Sequence, residues 1–240
     1  MKKLLIILML LAATPLYAMK YKNQNLAYTV SINVSDSGIF YNKPYSNTMH
    51  FSFEVKYNAE RNMLYLLNLK AFANGAEQVQ YEADTIIYDA VIDSEKGFIL
   101  RRRLVGPQSP FIANLTELFP KFPAKKRKKW KSMYRLSKEL MTDIDYKILS
   151  VKKSGITIEE KFSTGLGGIK NMYGTISGRG ILTFSKGKIV KSDLRIRTVS
   201  EEKMENSVVR KSKNITIIKL REYPQNVNHK GAKDEGQKAK

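Results

Sequence analysis

The chain of 240 residues contains no cysteine, so neither a disulfide framework nor thiol catalysis is open to it. Histidine is almost as scarce. Only His50 and His229 occur; one falls on the polar side of a predicted strand and the other in a Lys-rich tail. That distribution argues against a histidine-centred triad or a His-rich metal site, and no cofactor motif takes their place. Acidic residues are few beside basic ones, 22 against 42, and the net charge of +20 favours polyanions over cationic partners. Beyond the first eighteen residues no apolar run approaches the length needed to span a bilayer.

Those first residues, "MKKLLIILMLLAATPLYA", carry Lys2 and Lys3, an apolar run from Leu4 to Ala13, and Pro15 before Leu16-Tyr17-Ala18. This order predicts a secretory signal peptide over residues 1–18, cut near Ala18, and a periplasmic or secreted protein. Loss of Lys2 and Lys3, with no acid among residues 1–18, lowers the charge from +20 to +18. Export removes cellular DNA and RNA as partners. Anionic lipid headgroups, lipopolysaccharide and acidic glycans remain. Without disulfides, the exported domain has to be held by a sizeable apolar core.

What is abundant is alternation. In "LAYTVSINV" Leu26, Tyr28, Val30, Ile32 and Val34 share one side; Ala27, Thr29, Ser31 and Asn33 share the other. "SDSG" is expected to break this strand, with a looser segment, "IFYNKPYSN", after it. "TMHFSFEVKY" and "MLYLLNLKAFA" flank the polar turn "NAERN"; "TIIYDAVID" and "FILRRRLV" flank "SEKG". The second half repeats the theme with "WKSMYRL", "DYKILSV", "ITIEEKFS", "GRGILTFSKGKIVKSDLRIRTV" and "NITIIKLREY". One segment departs from it. "SPFIANLTELFP" offers Ser109 as a cap, Pro110 at the first helical position, and Phe111, Ile112, Leu115, Leu118 and Phe119 on one face, predicting a short helix that covers the sheet.

The halves resemble each other. "FEVKYNAERNMLYLLNLKAF" parallels "YKILSVKKSGITIEEKF", and "VIDSEKGFIL" parallels "LTFSKGKIV", aligning Gly97 with Gly187. The expected organisation is a signal peptide over 1–18 and a β-rich domain over 19–223. Within it, two duplicated halves (about 26–105 and 130–222) are joined by the helix and a basic connector. A disordered polar tail follows over 224–240.

Chemistry is thin. Asp143 and Asp145, Glu159-Glu160 and Glu201-Glu202 are neighbouring carboxylates, expected on wet strand faces. "GLGG" and "GTISGRG" precede a strand rather than a helix, so they read as bulges or close crossings, not a phosphate cradle. No catalytic residue is assigned. The cations form a pattern of their own: Arg101-Arg102-Arg103, the run Lys125-Lys126-Arg127-Lys128-Lys129, and Arg195 and Arg197 on one strand face. They are candidates for contact with an anionic membrane surface or polyanion. Trp130, at the end of the basic run, is expected to anchor the core.

"FPKFPAKKRKKW", the strand "DYKILSV" and "YGTISGRGILTFSKGKIVKSDLRI" together resemble a group of uncharacterised exported bacterial proteins, which implies a β-rich envelope protein. The plan is also similar to lipoprotein-carrier and lipid-binding half-barrels, in which one strongly curved antiparallel sheet is lidded by a helix. The fold expected is therefore mainly β, a half-barrel or two meander lobes with one covering helix, and non-enzymatic. Its concave face would take a lipid or other hydrophobic ligand on Phe51, Phe53, Tyr65, Leu67, Phe111, Leu115 and Phe119. The alternative is a structural or adhesive module with a filled core.

Overall fold

In a computed structural model the described residues are 19–74, 76–77, 85–107, 119–123, 127–135, 140–167, 171–204 and 207–223. They form β1 (Leu26–Phe40), β2 (Lys43–Asn58), β3 (Met63–Ala73), β4 (Ala76–Glu77), β5 (Thr85–Asp93) and β6 (Gly97–Val105). The second half gives β7 (Lys129–Arg135), β8 (Met141–Lys152), β9 (Gly155–Gly165), β10 (Met172–Ser185), β11 (Lys188–Met204) and β12 (Ser207–Glu222). No helix occurs among the described residues. The expected helix falls almost wholly on residues 108–118, outside them, as do the signal peptide and the tail.

All strands join one antiparallel sheet in the order β6-β5-β3-β2-β1-β12-β11-β10-β9-β8-β7, with β4 beside β3. The sheet is not closed into a barrel, and β6 and β7 end its strand order. The first and last strands meet in the middle through thirteen registered pairs, from Tyr28↔Glu222 to Phe40↔Arg210. The two halves are therefore tandem meanders fused into one sheet, not separate lobes.

Alternation sorts the residues as expected. Tyr28, Val30 and Ile32 of β1 stand beside Val55, Phe53 and Phe51 of β2 and beside Glu222, Leu220 and Ile218 of β12. Val55, Leu64, Ile158, Leu182, Ile218 and Leu220 are completely buried on this inner face. Bulges between Ser52 and Glu54, Ile148 and Ser150, and Thr183 and Phe184 bend the strands.

Two short segments seal one end of the sheet. The lead-in over residues 19–25 is tied by the Tyr21 N–H to the Ser94 carbonyl (2.8 Å) and the Lys22 N–H to the Gly187 carbonyl (2.9 Å). Residues 119–123 are tied by the Phe122 N–H to the Glu95 carbonyl (2.7 Å), and the Tyr21 hydroxyl donates to the Pro120 carbonyl (2.9 Å). Their rings bridge from one edge strand to the other. Phe98 of β6 lies 4.6 Å from Phe119, Phe119 lies 6.2 Å from Tyr21, Tyr21 stacks on Phe122 at 4.8 Å, and Phe122 lies 6.2 Å from Trp130 of β7. Trp130 is buried, stacks on Tyr146 at 5.0 Å and donates its indole N–H to the Lys121 carbonyl (2.8 Å). The only tryptophan in the basic run is thus a core anchor, as its amphipathic ring allows.

Three expectations are corrected. "SDSG" does not end the first strand. β1 continues to Phe40 because β2 and β12 both keep pairing with it, and only Tyr41-Asn42, each with positive φ, turn the chain. Glu159 and Glu160 do not lie on a wet face: Glu160 is buried on the inner face, while Glu159 is screened by Lys161 and Arg179 on the other. Of the two readings of "GTISGRG", a bulge at its centre fails and a close approach holds, since Gly178 and Gly180 pair regularly with Phe162 and Glu160. A Cβ on Gly178 would stand 2.0 Å from the Phe162 ring, and one on Gly180 would stand 2.3 Å from the Glu160 carboxylate. These glycines are absent side chains over which larger neighbours lie.

Candidate ligand-binding trough on the outer face

The residues of β1 that point away from the core are all small until Ile39: Ala27, Thr29, Ser31, Asn33, Ser35 and Ser37. Longer side chains rise on both sides of them, from β2 and β3 on one flank and β12 and β11 on the other. A low strand between higher ones makes a trough. Two depressions follow one another along it, of about 810 Å³ around Thr29 and Ser31 and about 480 Å³ around Asn33 and Ser35. Both fall within or near the usual range for small-ligand sites, ~300–1,000 Å³.

The smaller depression is organised by one cross-strand row. Phe72 of β3 pairs with His50 of β2, His50 with Asn33 of β1, Asn33 with Ile217 of β12, and Ile217 with Arg195 of β11. His50 Nδ1 and Asn33 Oδ1 are 2.7 Å apart, and the His50 and Phe72 rings lie 6.0 Å apart. With Ile215 also lining it, the depression has an apolar surface on either side of a narrow amide–imidazole seam. Arg195 stands at its β11 end.

Arg195 is poorly compensated. Its partner across β10 is Arg179, a like charge placed directly opposite, which is unfavourable in a sheet unless something neutralises it. Arg179 is engaged by Glu159 at 2.8 Å, and this contact, after one from Lys161, holds the Glu159 carboxyl below the usual range. Among the described residues Arg195, Arg197 and Lys219 have no ion pair or hydrogen bond through their side chains. Elsewhere on the outer face several cations do have acidic partners. A third depression of about 860 Å³ across β7–β10 contains the pairs Lys131–Asp145 (3.3 Å) and Lys161–Glu159 (3.0 Å). In the larger half of the trough, Glu54 meets Lys56 (3.1 Å) and accepts from Asn68 (3.0 Å); these contacts, Lys56 first, lower its pKa. Arg221 is held by Asp193.

The residues proposed from sequence are scattered by this arrangement. Phe51, Phe53 and Phe119 are buried together inside, where Phe119 is part of the seal. Tyr65 and Leu67 point to the opposite face, because Leu67 pairs with Glu54 beyond the β3 bulge at Asn68-Leu69. Phe111 and Leu115 lie outside the described residues. Arg101, Arg102 and Arg103 are exposed on the edge strand β6, where Arg101 lies 3.8 Å from Asp89. Arg127, Lys128 and Lys129 are exposed at the start of the other edge strand, β7, and Lys125 and Lys126 lie outside the described residues. Arg195 and Arg197 stand on β11, four strands from β7 and six from β6. Sequence reasoning missed the trough although half its signal was visible, in the uniformly small outer row of β1.

No family model and no curated protein matches this chain. Among solved structures it is similar to lipovitellin, in a structure described by its lipid–protein interactions, with a TM-score of 0.49 and 12% identity. The likeness covers 85% of this chain and 26% of that one, so the chain spans about a quarter of the length of the protein it matches.

Proposed function

We propose that this protein is an exported, non-enzymatic binder of a lipid or similar amphiphile with an anionic head, held in the trough along β1. The observation that carries the reading is the row Phe72-His50-Asn33-Ile217-Arg195, which puts an apolar surface and an uncompensated guanidinium within one depression of about 480 Å³. Hydrocarbon would lie against Phe72, Ile215 and Ile217. The head would accept hydrogen bonds from Arg195 and draw on Arg197 and Lys219 nearby. The segment Met1–Ala18 supports export, and the net charge of +20 supports an anionic partner.

Mass spectrometry of gently purified protein and titration with a fluorescent fatty acid test the proposal. Saturable binding is expected, weakened about tenfold or more by Arg195→Glu, since a hydrogen bond to a charged group is worth about 1.5–3 kcal/mol. Absence of co-purified lipid together with absence of fatty-acid binding would refute it. One observation favours a second reading, a structural or adhesive module: the inner core is packed to complete burial from Val55 to Leu220. That reading predicts no small-molecule ligand at all.

A further inference from the structure

Large apolar side chains are crowded at the end of the sheet opposite the aromatic seal. Ile39, Phe40 and Tyr41 cap the β1–β2 hairpin and are about half exposed, Tyr41 the most at 58%. Met204 and Val208, also exposed, flank the adjoining β11–β12 turn, and Tyr173 lies near the start of β10 beside it. The described residues beside these turns are bound to one another. The Tyr41 N–H donates to the Val209 carbonyl (2.9 Å), the Tyr41 hydroxyl reaches the Met204 sulfur (3.9 Å), and the Lys203 N–H donates to the Asn171 carbonyl (3.0 Å). They therefore present a single surface.

Two features distinguish this surface from stray exposed residues. The first is the turn. Tyr41 has φ +46 in a two-residue loop, a conformation that disfavours bulky side chains and suits glycine or asparagine. A tyrosine kept there at a conformational cost, packed edge-to-face on Phe40 at 4.6 Å and standing in solvent, points to a use for the exposed ring. The second is the charge around it. Lys43, Lys203 and Lys213 have no ion pair among the described residues, and Lys203 lies 4.9 Å over the Tyr173 ring. The remaining cations, Arg210 and Lys211, are paired with Asp36 and Glu201, and Glu202 adds one more acid. Among the described residues, five cations against three acids leave this end positive. Aromatic and aliphatic tips ringed by lysine suit the headgroup boundary of a bilayer, where rings and methyls enter the acyl edge and ammonium groups meet phosphates.

We propose that the β1–β2 turn, with the adjoining ends of β11 and β12, docks the protein on an anionic lipid bilayer, with Phe40 and Tyr41 inserted. This surface is separate from the trough and does not depend on it. Co-sedimentation with phosphatidylcholine vesicles, and with vesicles containing 30% phosphatidylglycerol, tests the proposal. The protein is expected to partition onto the anionic vesicles. The double variant Phe40→Ser/Tyr41→Asn is expected to lose at least tenfold, and Lys43→Glu/Lys203→Glu to lose the preference for anionic lipid. Asparagine suits the turn, so an unchanged melting curve shows that the loss is not unfolding. Arg195→Glu keeps vesicle binding. Absence of partitioning overturns the proposal, as does binding that survives the tip variants but falls when Arg101, Arg102 and Arg103 are replaced. A concentration-dependent dimer abolished by the tip variants, without any vesicle binding, would assign the surface to a second copy and also overturn it.

Discussion

Replacing Phe119 with alanine tests whether the aromatic seal holds the two edge strands together. The ring is almost fully buried and lies 4.6 Å from Phe98 of β6, 6.0 Å from Tyr28 of β1 and 6.2 Å from Tyr21. A buried Phe→Ala change costs about 3–5 kcal/mol, the transfer of the ring plus the cavity left behind. For a domain of this size each kcal/mol lowers Tm by about 2–4 °C, so the expected drop is about 6–20 °C. Circular dichroism measures the loss, and the lone Trp130 provides a second probe because Phe122 links it to the same cluster at 6.2 Å. Phe40→Ser, on an exposed ring, is the control and should move stability by no more than about 0.5 kcal/mol. A Phe119→Ala protein melting within about 2 °C of the parent would show that the seal is incidental and that the sheet holds its curvature unaided.

Gly178→Val should be among the most damaging single changes outside the seal, because its Cβ would stand 2.0 Å from the Phe162 ring; Gly178→Val/Phe162→Ala should recover part of the loss, read by urea unfolding. Tyr21, Tyr28 and Tyr146 all have hydroxyl pKa values raised, chiefly by burial. For a group raised in the fold, stability is whole below the unfolded value of about 10 and is lost above it. The unfolding free energy from urea titration should therefore be level from pH 7 to 9 and fall beyond pH 10, at up to about 4 kcal/mol per pH unit for three such groups. An unfolding free energy that stays level to pH 11 would contradict their burial. Ile217→Asp should weaken fatty-acid binding at least tenfold by charging the apolar side of the trough, while leaving partitioning onto anionic vesicles unchanged; equal loss of both would merge the two sites.

Much of the sheet was legible locally. Strands with one buried and one wet side, such as Leu26–Val34 and Phe51–Tyr57, announced themselves by period two. The pattern failed where both sides become wet. Beyond Val34 the inner face of β1 carries Asp36, Gly38 and Phe40, so polarity no longer alternates and "SDSG" looks like a break although pairing continues. Glu160 was misread for the opposite reason, since its burial depends on the missing side chain of Gly180, its register partner on the neighbouring strand β10. The trough could be read only in part. The small row on β1 is a local fact, but Phe72, Ile217 and Arg195 come from strands brought together by a strand order that no short window of sequence encodes.

The seam between β1 and β12 has a consequence for how the molecule is made. The opening strand waits with an unpaired edge until the final one has been synthesised, so a half-finished chain carries a long adhesive border that needs shielding. The same arrangement implies that a break introduced between β6 and β7 would leave two complementary fragments. Each would own one side of the thirteen-pair seam, and the two should reassemble without a covalent link.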